Sequence, residues 1–358
     1  MKYSRLNQAA IVDALRGQTL RTPNLHNLFR SWPNPQGQLN THHEHVTPIV
    51  NQAVDRMAIA YPLIARRKQD DIASLVCSLY PQARQRQIEA LTLYTTWLVC
   101  WDDAVDANEG DLAVDFTRAE RWRGQTMRMV REALVIDEMN VSEADDDPIN
   151  SVFREFGARF CQTASRDYRR LLHDEIQFFI NSCAAEQKLR LASHIPDYES
   201  YMKMRIGTVG GRMLCSLVPY AIDERLPEAL SSAPEIVQTW TQVSIIQSLM
   251  NDMLSLKKEL RTDCVINAVA AIMESGMTLD VVVAKLEERM KMAVKNFDKA
   301  ANELLQKTEF QEQTHPIVKR YVDGCRSIVT GTLRFTLTSP RYNIHKLIEE
   351  DGSLKITL

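Results

Sequence analysis

The sequence predicts an all-α fold, and three observations carry that expectation. From about residue 50 onward, apolar residues recur mostly at three- and four-residue intervals, the spacing of one helix face. Glycine supplies only 12 of 358 residues, too few for the turns of an all-β chain. Prolines stand where helices should begin: Pro148, Pro196, Pro234 and Pro316 each precede a periodic segment. Strand-like runs such as 133–136 are too short and too isolated to build a sheet.

The first 50 residues stand apart. RTPN, SWPNPQGQ and HVTP punctuate them and predict an irregular N-terminal strap over 1–50. Helical spacing then predicts helices over 87–106, 116–136, 148–186, 198–206, 211–221, 234–260, 279–306 and 316–337. Polar loops fall near 107–115, 137–149 and 222–234, and none has the composition of a domain linker. No internal repeat or low-complexity tract interrupts the pattern. The expected organisation is one α-helical domain over 51–358, preceded by the strap.

Composition narrows the partners. Hydrophobic residues make up 45% and charged residues 25%, normal for a globular protein with a sizeable core. A net charge of −3 and a pI near 6.3 give no electrostatic case for nucleic acid or an anionic membrane. The seven cysteines (77, 100, 161, 183, 215, 264 and 325) form no CxxC pair and read as reduced thiols. MKYSRLNQAAIVDALRG lacks the apolar run of a signal peptide, and no stretch approaches the roughly 20 apolar residues of a membrane span. A cytoplasmic protein, monomer or homodimer, is expected.

Two segments carry chemistry. The first, WDDAVD at 101–106, closes an apolar helix. Residues four apart lie about 40° apart around a helix and about 6 Å along it, so Asp102 and Asp106 share one stripe. Three carboxylates this close repel one another unless a cation neutralises them, and hard carboxylate oxygens suit Mg²⁺. Alone the pattern is weak, since DDxxD arises by chance in roughly one chain of this length in twelve. The second is NDMLSLKKE at 251–259, where Asn251, Ser255 and Glu259 present oxygens on one face over two turns. A single formal charge among three ligands suits a Mg²⁺ that an anionic substrate also holds. Matching Asn, Asp, Ser, Lys and Glu at these spacings by chance takes on the order of several thousand chains.

The two segments resemble the aspartate-rich motif and the asparagine-serine-glutamate triad of class I terpene synthases. The chain is similar in particular to the microbial, fungal-type sesquiterpene synthases, single α-domain enzymes of this size. Two further matches tighten the resemblance. Arg205 stands 46 residues before Asn251, where that family places its diphosphate-sensing arginine, and Arg341-Tyr342 in SPRYN matches the family's RY pair. The resemblance implies a single class I terpenoid synthase α-helical bundle around a central active-site cavity. It implies a Mg²⁺-dependent cyclase that ionises a linear prenyl diphosphate, farnesyl diphosphate above all, to a carbocation and cyclises it. Three Mg²⁺ ions are expected, with Mn²⁺ as a substitute.

Residue by residue, the resemblance makes Asp102 a ligand of two ions, with Asp103 and Asp106 ordering waters, salt bridges or the motif itself. Asn251, Ser255 and Glu259 hold the third ion. Arg205, Lys258, Arg341 and Tyr342 serve the diphosphate. The physics agrees, because diphosphate leaves an allylic carbon only where its developing charge is stabilised, and Mg²⁺, Arg and Lys stabilise it directly. Three glycines in RIGTVGG break a helix in solution, and the family has a break just after the sensing arginine. That implies Thr208 and Val209 as the linker and effector positions, although relatives often carry an acidic linker. A plain glycine-mediated helix crossing accounts for the same residues.

A carbocation needs a dry pocket with π faces. Leu98 and Val99 stand one turn before Asp102, where many relatives carry an aromatic, with Trp97 and Trp101 beside them. Phe335, six residues before Arg341, occupies an often aromatic position; core packing is the plainer reading of Trp97, while for Phe335 core and pocket wall stand level. Two patterns carry no site. His42-His43-Glu44-His45 is not HExxH and sits in a polar, Pro-flanked segment. EADDD at 143–147 lacks the first Asp of DxDD and reads as solvated loop charge. Within enzymes, a chain-elongating prenyltransferase carries a second aspartate-rich motif in place of the triad, and Asp70-Asp71-Ile72-Ala73-Ser74 does not supply one. A non-catalytic helical binding protein would lack one of the ligands.

Overall fold

The computed structural model describes residues 8–106, 110–136, 147–262, 265–273 and 277–358. Along the chain these form α1 (Gln8–Leu15), β1 (Thr19–Thr22), α2 (His43–Ala60), α3 (Ile72–Leu79), α4 (Gln85–Asp106), α5 (Asp111–Val114) and α6 (Phe116–Ala133). There follow α7 (Pro148–Phe160), α8 (Arg166–Leu191), α9 (Tyr198–Thr208), α10 (Gly211–Ser216), α11 (Val218–Ala221) and α12 (Glu228–Ser231). The last elements are α13 (Pro234–Leu260), α14 (Ala268–Ile272), α15 (Leu279–Gln306), α16 (His315–Thr338) and β2 (Leu354–Thr357).

The architecture is all-α, built around α13. Nearly every residue of α13 from Gln242 to Leu256 is buried, which marks a helix enclosed on all sides. The amphipathic α15 lays the stripe Val282, Leu286, Met290, Ala293 and Phe297 against it. On its other flanks lie α9, α10 and α16, and α3 packs on α16. Helix starts follow from local chemistry: Asp115, Asp147, Ser165 and Asp197 each accept a backbone N–H of the first turn of α6, α7, α8 and α9. Pro148, Pro234 and Pro316 stand in the first turns of α7, α13 and α16. At one crossing, a Cβ on Gly331 of α16 would lie 2.3 Å from the Ser78 carbonyl oxygen, so α16 meets α3 backbone to backbone.

Several expectations need correction. The first 50 residues are not irregular throughout: they contain α1 and β1, and residue 50 falls inside α2. The helix expected over 148–186 is two, because the Ser165 hydroxyl caps Tyr168 N–H and restarts the chain as α8. The segment 211–221 likewise splits at Leu217, two residues before Pro219, whose ring nitrogen has no hydrogen to donate. A small sheet exists after all, β1 pairing antiparallel with β2 from Thr19–Thr357 to Thr22–Leu354. The His42–His45 segment is the start of α2: His43 Nε2 lies 3.0 Å from Ser74 Oγ, and His45 Nε2 2.7 Å from Glu89. No metal-holding His, Cys, Asp or Glu cluster appears among the described residues. Of EADDD, only Asp147 lies inside them, as the cap of α7. Cys77, Cys100, Cys161, Cys215 and Cys325 are free thiols, and Cys264 lies outside the described residues. No described helix is long and apolar enough to cross a membrane.

Candidate active site

A cavity of about 600 Å³ opens between α3, α4, α8, α9, α13 and α16. Asp102, Arg205, Thr208, Val209, Asn251, Lys258, Glu259, Phe335, Arg341 and Tyr342, scattered along the sequence, all line it. Ser255 sits just behind, its hydroxyl donating to Glu259 Oε1. Asp106 closes α4, and its side chain lies outside the description.

The α13 face is held by a dense network. Asn251 Oδ1 accepts from Arg205 Nη2 at 2.8 Å, and its Nδ2 donates to the Tyr342 hydroxyl at 3.1 Å. Asn267 Nδ2 donates to Glu259 Oε2 at 3.0 Å and to the Asp252 carbonyl at 2.8 Å. Asp252 escaped the sequence reading as a site residue. It is 1% exposed, and its carboxylate accepts from Tyr201 Oη at 2.6 Å, Arg205 Nε at 3.1 Å and Ala268 N–H at 2.8 Å. Adjacent to Asn251 and about 100° around the helix from it, it bonds the same arginine as well as the start of α14, and so fixes the arginine and the helix at once. Burial tends to discharge Arg205, but Asp252, Tyr201, Glu186 and Glu259 around it raise its affinity for its proton. Burial, with Asp252 adding, pushes the Glu259 carboxyl up to about 7, against the Ser255 hydrogen bond and the Lys258 charge.

The α4 face is tied differently. Asp103 Oδ1 accepts from Arg341 Nη2 at 2.9 Å, and its Oδ2 pairs with Arg67 Nε at 3.1 Å. Asp70 Oδ2 pairs with Arg341 Nη1 at 3.0 Å and also with Arg67, closing a four-membered ring of alternating charge. Ser339 Oγ donates to the Asp70 carbonyl at 2.7 Å and pins the chain beside it. Arg190 of α8 donates to the Val105 carbonyl at 2.8 Å near the end of α4. Asp70, Arg67 and Arg190 were not legible as site residues, since only folding brings them to the motif.

The helix break lies later than expected. Gly207 stays helical, Thr208 ends α9, and the turn occurs at Gly210, whose φ of +74° is left-handed and favours glycine. The Thr208 hydroxyl accepts from Arg205 Nη1 at 3.2 Å. Below the polar mouth the walls are largely apolar, with Leu75, Leu79, Leu98, Val99, Leu214 and Phe179. Phe335 meets Tyr342 edge to face, ring centroids 6.2 Å apart. Trp97 and Trp101 are core residues: Trp97 packs on Phe153 at 4.7 Å, and Trp101 stacks on Trp122 at 5.2 Å.

The donors suit a hard divalent cation. Asp102, Asn251, Ser255 and Glu259 offer oxygen alone, and Glu259 is a carboxylate whose charge burial disfavours, a condition that a bound cation relieves.

Comparison with known proteins agrees with this geometry. Residues 93–296, more than half of the chain, match the family described as terpene synthase family 2, C-terminal metal binding. The chain is 25% identical to the sesquiterpene cyclase hepA of Aspergillus oryzae, over 98% of this chain and 96% of that one. It is 26% identical to the terpene cyclase braA of Annulohypoxylon truncatum, over 91% and 86%. Among solved structures, the linalool/nerolidol synthase of Streptomyces clavuligerus superposes with a TM-score of 0.74 at 15% identity, covering 87% of this chain and 98% of its own. Germacradien-4-ol synthase of Streptomyces citricolor gives 0.68 at 16% identity, covering 84% and 95%. The matched metal-binding region contains both the acidic motif and the triad that face each other across the cavity, and the chain belongs to the terpene synthase family, as a class I, divalent-metal-dependent lyase acting on a prenyl diphosphate.

Proposed function

We propose that the enzyme is a magnesium-dependent sesquiterpene cyclase that ionises farnesyl diphosphate, cyclises the allylic cation and releases diphosphate. The observation that carries this reading is that Asp102 on α4 faces the same cavity as Asn251 and Glu259 on α13, with apolar walls beneath them. Similarity to a sesquiterpene cyclase over nearly the full length supports the choice of substrate. Bound Mg²⁺ (three ions, or Mn²⁺ in their place) supplies positive charge to the departing diphosphate oxygens. Asp102 and Asp106 serve as ligands on one side, and Asn251, Ser255 and Glu259 on the other.

The protein's own groups do the rest. Arg205, Lys258, Arg341 and Tyr342 donate to the diphosphate. A guanidinium has five N–H donors, so Arg341 can turn some to diphosphate while keeping a carboxylate partner, and Arg205 can do the same beside Asp252. Thr208 and Val209 bring the α9 end to the cavity behind Arg205, and Phe335 offers a π face to the cation. The test is incubation with Mg²⁺ and geranyl, farnesyl or geranylgeranyl diphosphate, with and without isopentenyl diphosphate, reading released diphosphate and extracted products by gas chromatography–mass spectrometry. A cyclic product from farnesyl diphosphate is expected. Longer linear diphosphates formed with isopentenyl diphosphate would make it a prenyltransferase, and no Mg²⁺-dependent diphosphate release from any substrate would sink the reading.

A further inference from the structure

The lower cavity is not apolar throughout. Thr95 of α4, Gln247 of α13 and Thr332 of α16 line it from three helices. Thr95 precedes Asp102 by seven residues, and Gln247 precedes Asn251 by four. At the helical rise they lie about 10 Å and about 6 Å along their helices from the mouth, beside the hydrocarbon part of a substrate and away from its diphosphate.

Two of these side chains carry oxygens with no partner. Thr95 is 1% exposed and Gln247 2%, and neither Thr95 Oγ1 nor Gln247 Oε1 makes a hydrogen bond. A helical threonine often bonds the carbonyl one turn back, as Thr92 does with Ile88 and Thr332 with Ile328, each at 2.7 Å. Thr95 does not. The Gln247 amide is fixed in orientation. Its Nε2 donates to Thr332 Oγ1 at 2.7 Å and toward the Ile328 carbonyl at 3.4 Å, and the Thr332 proton is spent on Ile328. Oε1 therefore turns the other way, toward the break between α9 and α10, where even a Cβ on Gly211 would meet it at 2.4 Å. Tyr94, Thr96 and Trp97 also carry unpartnered atoms but do not line the cavity. A buried oxygen left without a donor calls for a reason, and a bound water is the commonest one.

We propose that Thr95 and Gln247 hold a water in the lower cavity and that this water ends the reaction, so the product is an alcohol. The proposal rests on the cyclase reading. Both oxygens accept hydrogen bonds from the water, which turns its lone pairs toward the cation. A lone pair forms the C–O bond at the cationic carbon. The resulting oxonium sheds one proton, which the released diphosphate takes up, so prenyl diphosphate plus water gives alcohol plus hydrogen diphosphate. Nothing is oxidised or reduced. With both oxygens occupied by the water's protons, neither is left to take a proton from the cation, so these groups serve capture by water and not alkene formation.

The experiment is turnover of farnesyl diphosphate in oxygen-18 water, with the alcohol-to-hydrocarbon ratio read by gas chromatography–mass spectrometry. Wild type should give chiefly labelled alcohol. In Thr95→Val and in Gln247→Leu the ratio should fall roughly tenfold, the effect of one lost hydrogen bond at about 1.4 kcal/mol. Thr95→Ser, which keeps the hydroxyl and loses a methyl, should retain the wild-type ratio. The ratio is counted per molecule converted, so it does not depend on how much enzyme folds. Hydrocarbon alone from wild type, alcohol without the label, or an unchanged ratio in both Thr95→Val and Gln247→Leu overturns the proposal. Wild type that releases no diphosphate strikes the cyclase reading itself, and the water site falls with it.

Discussion

The two faces that confront each other across the cavity are built on opposite plans. On α13, Asp252, Tyr201, Asn267 and Arg205 form a closed network among α9, α13 and the start of α14. On α4, the bonds of Asp103 run to Arg67 and to Arg341, the latter 238 residues away along the chain, and Asp70 reaches the same arginine across 271. A closed network of buried hydrogen bonds presents its oxygens in one geometry. A ring of arginine–carboxylate pairs leaves donors that can be redirected. The α13 face is thus the fixed side of the site, and the α4 face is the side that can exchange partners.

The largest effects should come from the fixed side. Asn251→Ala or Glu259→Ala should lower turnover several hundredfold or more, because metal assistance is worth several kcal/mol and each 1.4 kcal/mol is about tenfold. Far-UV helicity should barely change, since neither side chain belongs to the apolar core. Near-normal cyclisation by both variants would show that this helix face holds no metal.

Asp252→Ala should act on the fold as well as the site. It leaves Arg205, 14% exposed, without the carboxylate it hydrogen-bonds, and breaking a buried pair from one side costs about 3–5 kcal/mol. A melting temperature equal to wild type would show that the network does not stabilise the fixed face. Asp70→Asn should do less, because Arg341 keeps Asp103: a loss of about tenfold in kcat/KM, mostly in KM, with the melting temperature little changed. A loss as large as that of Glu259→Ala would erase the distinction between the two faces. The smallest effect belongs to Phe335→Leu. Cation–π stabilisation of about 0.5–2 kcal/mol re-ranks cation routes without stopping ionisation, so product ratios should shift while consumption stays within roughly tenfold. An unchanged product profile with a lowered melting temperature would return Phe335 to the core.

The same contrast decides what the sequence could disclose. Helices 234–260 and 279–306 appear at the expected bounds, since long periodic segments state their own limits. Asn251, Ser255 and Glu259 were legible because one helix carries all three. The break between α7 and α8 has no Gly or Pro; its one sign is Ser165, an N-cap residue in an otherwise helical pattern. The β1–β2 pairing and the ring of Arg67, Asp70, Asp103 and Arg341 depend on partners from distant parts of the chain, which no local period encodes. Asp252 was visible inside its motif, but its task depends on Tyr201 and Ala268, which only folding brings near.

The contact at Gly331 bears on how such an enzyme changes its chemistry over generations. Phe335 lies one turn further along the same helix, and Thr332 is the next residue. Any side chain at 331 would strike the α3 backbone at Ser78 and Leu79, two atoms of which lie 2.3 Å and 2.9 Å from a would-be Cβ, and a backbone cannot swing aside as a side chain does. The relief available is displacement of α16 as a unit, which would carry the ring of Phe335 and the hydroxyl of Thr332 together across the cavity. A substitution far from any substrate atom could therefore act as a lever on product identity, and a mutational library confined to cavity-lining positions would never sample it.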